Sequence, residues 1–127
     1  MWTFWFGLGA FFTAISIAIG AFGAHALKGV LSSDDAAIFE TATKYLTHHS
    51  LGLICISLIM SRIDSTALKI GAPVLLFGFI VFSGSLYALI WTGQRWLGAI
   101  TPIGGVLMIV AWLLTAWAAL SAQWLVN

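Results

Sequence analysis

Five side chains in this sequence can move protons or ligate metals close to neutral pH or by hydrogen bonding: His25, His48, His49, Tyr45 and Tyr87. All five lie in or beside apolar sequence. Ser83, Ser85 and Thr101 add hydroxyls in similar surroundings. A metal or haem site would draw on His25 and His49, with His48 or Glu40 as extra ligands, but their spacing follows no ligand motif. Tyr45 with His49 could pass a proton. Nothing in the sequence positions a nucleophile beside them, and no carboxylate lies deeper in apolar sequence than Glu40. The expectation is therefore a protein with no metal, no cofactor and no enzymatic activity. The single cysteine, Cys55, sits within an apolar stretch and forms neither an internal disulfide nor a CxxC site.

The elements that must carry these groups are membrane-crossing helices. Of 127 residues, 61% are hydrophobic and 7% charged, against roughly a quarter charged in soluble domains. Residues 1–27, 70–94 and 96–127 contain no Asp, Glu, Lys or Arg. Each exceeds the roughly 20 residues that a helix needs to cross a bilayer, and a soluble fold of this length has no interior to hide them. The net charge is +1 and there is no basic run, so nucleic acid is not expected as a partner. The amino end lacks the positive region of a signal peptide and reads as a retained first span.

The sequence thus predicts one transmembrane domain over 1–127, an all-α four-helix bundle running up-down-up-down. Its spans cover residues 2–24, 45–61, 70–91 and 100–124. Span one repeats small residues at Ala10, Ala14 and Ala18, followed by Gly20 and Gly23, a pattern that lets helix backbones approach in lipid. Ser32 or Ser33 can cap the second helix, with Asp34 and Asp35 at its positive end. From 34 to 61 that helix is ~42 Å long at 1.5 Å per residue, so its first part, 34–44, is assigned to the interface, with Glu40 and Lys44 an i,i+4 pair. Pro73 is placed in the first turn of span three, where a missing N–H costs little. Trp2, Trp5 and Trp124 mark one membrane face, and Trp91 and Trp96 the other.

In that topology the polar groups gather in one leaflet: His25 ends span one, Tyr45 and His49 begin span two, Ser83 and Tyr87 lie near the end of span three, and Thr101 opens span four. Tyr45 and His49 share a stripe with Ala42 and Gly52, while His48 points about 100° away. The six residues His25, Tyr45, His49, Ser83, Tyr87 and Thr101 are the candidate ligand-binding set. They equally suit interhelical hydrogen bonds worth ~1 kcal/mol each.

Three stretches carry a family resemblance. They are GAFGAHAL at 20–27, Phe39-x-Thr41-Ala42-x-x-Tyr45-x-x-x-His49, and Ser83-Gly84-Ser85-Leu86-Tyr87 followed by Thr92-Gly93, Leu97-Gly98 and ITPIGG at 100–105. Together they resemble the small four-span membrane proteins grouped as domain of unknown function 423, which include bacterial inner-membrane members and mitochondrial relatives. The resemblance implies a single four-helix membrane domain in the bacterial inner membrane, with both termini cytoplasmic. It puts His49, and not His48, on the motif. The chain departs from many relatives at Leu46, where they have Gln, and at Ala111, where they have Gly.

Two functions follow as expectations. The first is a non-enzymatic scaffold or assembly factor that packs against lipid-embedded helices of another membrane protein or of a second copy. The second is a small protein or transporter component that binds an amphipathic ligand such as a lipid, quinone or haem in the one-leaflet pocket.

Overall fold

The computed structural model describes residues 1–122, and among these every regular element is helical. Helix α1 (Trp2–Ala18) runs on through a π-helical turn (Ile19–Gly23) and a last α-turn (Ala24–Ala26). Helix α2 spans Ser33–Met60, α3 Thr66–Thr92 and α4 Thr101–Ser121, the last preceded by a 3₁₀ segment at Arg95–Ala99. The expected span four runs to residue 124, so its end, with Trp124, lies outside the described residues.

Local chemistry sets the boundaries. Ser32 is extended (φ −61°, ψ 164°), and its hydroxyl accepts the Asp35 N–H at 3.1 Å, with Asp34 and Asp35 in the first turn of α2. Helix α3 starts at Thr66, a full turn before the start expected from the sequence. Ser65 flanks it in extended geometry, and the Lys69 N–H reaches the Ser65 carbonyl at 3.1 Å. Pro73 therefore stands inside the helix and not in its first turn, and it leaves the Lys69 carbonyl without its usual donor. Gly93 closes α3 in the left-handed region (φ 68°), its N–H on the Leu89 carbonyl at 2.9 Å. Pro102 opens α4, where no donor is needed.

Close approaches fix how the helices pack. A Cβ on Gly9 of α1 would sit 2.9 Å from the Ser50 carbonyl oxygen, and Gly23 faces Phe39. Helices α1 and α2 are therefore antiparallel. Between α3 and α4, a Cβ on Gly104 would lie 2.5 Å from the Phe82 nitrogen and 2.7 Å from the Gly78 oxygen, so these backbones touch directly. Gly84, by contrast, faces open space. The core along α2, α3 and α4 is built from Leu46, Leu53, Ile56, Leu75, Phe79 and Met108. Phe12 of α1 reaches it edge-on against Phe79, with ring centroids 5.4 Å apart.

Three of these helical stretches are long and apolar enough to cross a membrane: Trp2–Ala26, Thr66–Thr92 and Arg95–Ser121. Helix α2 matches them in length, but Asp34, Asp35, Glu40 and Lys44 occupy its first three turns.

Candidate functional site

The end of the molecule that holds the α1–α2 and α3–α4 connections carries a belt of hydroxyls at one level. Ser83 is 1% exposed, and its Oγ donates to the Ala42 carbonyl at 2.7 Å. The Tyr87 hydroxyl and Thr43 Oγ1 are 2.7 Å apart, and Ser85 Oγ and Thr101 Oγ1 are 2.6 Å apart. Helix α3 is thus joined by side-chain bonds to α2 on one flank and to α4 on the other. Among the described residues, every buried side-chain nitrogen and oxygen has a hydrogen-bond partner.

The six candidate residues divide into three groups. Tyr45 and His49 come together: their rings stack at 5.6 Å and 5°, and His49 Nδ1 lies 2.8 Å from the Tyr45 carbonyl oxygen. Tyr45 also packs 4.5 Å from the Phe82 ring, and His49 stands 6.4 Å from Trp112. This pair lies over α3 and α4, with Tyr45 still 37% exposed. Ser83, Tyr87 and Thr101 share the level but bond to separate partners: Ala42, Thr43 and Ser85. His25 is exposed at the end of α1 and makes no hydrogen bond.

An open groove lies on the other side of α2, between it and the end of α1. It encloses about 720 Å³. Its half-buried wall is formed by Gly20, Gly23, Leu27, Phe39, Thr43 and Thr47. Exposed Lys28, Glu40, Lys44 and His48 stand around it. The groove exists because α1 offers no side chain at Gly20 and Gly23 just where α2 passes. A Cβ on Gly23 would come within 2.6 Å of the Phe39 ring, and one on Gly20 within 3.4 Å of Thr43 Cγ2. The π-helical turn that carries both glycines is a geometry that often marks functional positions.

Sequence reasoning missed Phe39, Thr43 and Thr47 as a lining. They repeat every fourth residue, so the signal was present as one stripe of α2. The expected Glu40–Lys44 pair does not form within ion-pair distance, and the ion pair among the described residues is Lys69–Asp64, at 2.6 Å. Nor do any three His, Cys, Asp or Glu side chains among the described residues gather closely enough to hold a metal ion.

The stretch that contains the groove and the belt also carries the family signal. Residues 19–105 match the family described as "Protein of unknown function (DUF423)". The chain belongs to the DUF423 family. It is 49% identical over 113 residues to a UPF0382 membrane protein of Staphylococcus epidermidis, covering 89% of this chain and 92% of that one. Its identity to the UPF0382 membrane protein YwdK of Bacillus subtilis is 37%, covering 88% and 92%. With a UPF0382 membrane protein of Staphylococcus aureus the identity is 43%, covering 84% and 87%. No solved structure matches the chain. The DUF423 relationship and three helices of membrane-crossing length together identify a membrane protein.

Proposed function

We propose that this DUF423 chain is a non-enzymatic protein of the bacterial inner membrane that acts as a scaffold or assembly factor by helix packing. In this reading all four helices cross, up-down-up-down, with both termini cytoplasmic. The crossing of α2 is supported by its place between α1 and α3. It meets Gly23 at one level and Gly9 at another, and so accompanies α1 through the bilayer.

The observation that carries the scaffold reading is the division of small residues on α1. Gly9, Gly20 and Gly23 turn inward to α2. Gly7, Ala10, Ala14 and Ala18 form a second stripe that is exposed, and a Cβ on Gly7 would meet nothing within 4 Å. Small residues have little to gain from lipid tails and much from a close helix neighbour. The test is crosslinking of an Ala14→Cys variant in a Cys55→Ser background, purified in mild detergent. A disulfide-linked dimer or a partner adduct is expected. A strictly monomeric species with no co-purifying protein overturns the reading.

A second reading, an amphipathic-ligand-binding protein, is favoured by the α1–α2 groove, which combines an apolar wall with charged surroundings. Lipid extraction and mass spectrometry of the purified protein test it. Bound amphiphile at fixed stoichiometry supports it, and lipid-free protein argues against it.

A further inference from the structure

We infer that the α1–α2 groove holds an anionic phospholipid, its phosphate between Lys28 and Lys44 and an acyl chain along the glycine wall. This rests on the ligand-binding reading and names the chemical class of the ligand.

Charge supports it first. Lys28, Lys44 and His48 line the same groove as a single carboxylate, Glu40, so its surroundings are net cationic. Neither lysine is within ion-pair distance of a carboxylate among the described residues, where Lys69–Asp64 is the ion pair. Both lysines are exposed beside an apolar wall, at the level where α2 leaves the headgroup region in the four-span reading. An ammonium held there is matched by a phosphodiester, and each Lys near an anionic surface contributes about 1 kcal/mol.

Shape supports it next. The lining on α2 runs from Ala36 to Thr47, about 17 Å at 1.5 Å per residue, close to half of the ~30 Å hydrocarbon thickness. That is the depth of one leaflet's acyl chain. Thr43 and Thr47 expose little polarity along it, because their hydroxyls already donate to the Phe39 and Thr43 carbonyls at 2.9 and 2.8 Å. The wall is thus apolar below and cationic above, the pattern of a phospholipid. A second copy of the chain fits less well, since its helix would have to bury two ammonium groups and a carboxylate.

The test is native mass spectrometry of the full chain in detergent, titrated with dioleoylphosphatidylglycerol or dioleoylphosphatidylcholine. The expected result is preferential retention of phosphatidylglycerol, weakened about fivefold by Lys28→Gln, about fivefold by Lys44→Gln, and about 25-fold by both. Arg62→Gln, at the opposite end of the molecule, leaves it unchanged. A preference for phosphatidylglycerol that survives the double variant overturns the inference. So does equal retention of both lipids. If that equal retention is abolished by Thr47→Leu or Gly20→Leu, either of which fills the groove, the ligand-binding reading stands and only the anionic specificity fails. If no lipid is retained, or retention ignores both groove-filling variants, the ligand-binding reading falls as well.

Discussion

Tyr87 and Tyr45 are both tyrosines at nearly the same depth, yet their hydroxyls do different things. The Tyr87 hydroxyl bonds Thr43 across the α2–α3 interface, while the Tyr45 ring lies over Phe82 and its hydroxyl has no partner. Tyr87→Phe is therefore expected to cost about 1 kcal/mol of stability and Tyr45→Phe less than about 0.5 kcal/mol, as read from unfolding midpoints in mixed micelles. Glycines give a sharper contrast. Gly104→Ala pushes a methyl onto the Phe82 backbone, and a loss of about 1–3 kcal/mol is expected. Gly84→Ala meets open space within α3, so a gain of up to about 1 kcal/mol is expected. The same unfolding assay separates the two, and equal effects would show that α3 and α4 do not touch at Gly104.

At the scale of the element, the sequence announces helices far better than it announces their faces. Charge-free runs set the helical stretches, and Ser32, Gly93 and Pro102 set boundaries by chemistry that is local to each. Removing the Ser32 side chain by Ser32→Ala should lower stability by about 1 kcal/mol, since the Asp35 N–H loses its acceptor. The hydroxyl belt was legible too, because alternating helix direction alone puts Ser83, Tyr87 and Thr101 at one end. What was not legible is which side of α2 each polar residue takes. His48 and His49 differ by only 100° about the axis, and the choice between α1 and α4 as neighbour depends on tertiary packing. A Trp112 ring that covers Gly52, with a Gly52 Cβ only 2.6 Å from it, draws His49 to the α4 side. His48 is left on the groove. The early start of α3, which traps Pro73 inside the helix, likewise depends on how tightly the chain turns at Asp64 and Ser65.

For the whole molecule, the four-span reading makes a prediction about sidedness. In a Cys55→Ser background, Ser32→Cys should react with a membrane-impermeant maleimide in intact cells, and Ser65→Cys only after permeabilisation. Labelling of both from one side would mean that α2 does not cross. If Ser32 faces the periplasm, the groove and the hydroxyl belt open to the outer leaflet of the inner membrane, whereas the Lys69–Asp64 pair faces the cytoplasm. An exposed alanine stripe on α1 and a lipid-sized groove on the adjoining flank then serve different neighbours, and neither obstructs the other.

The wide turn at Ile19–Gly23 holds one residue more than an ordinary helical turn needs. Such a surplus acts as a built-in register offset. Excising Ala21 should relax the turn to regular α-geometry at little cost in folding, while everything after it swivels by about 100°. Lys28 would then turn away from Lys44, and a molecule equally stable to heat would lose its grip on anionic headgroups. A one-residue deletion elsewhere in α1, by contrast, would drag Gly9 and Thr13 off α2 and unfold the protein.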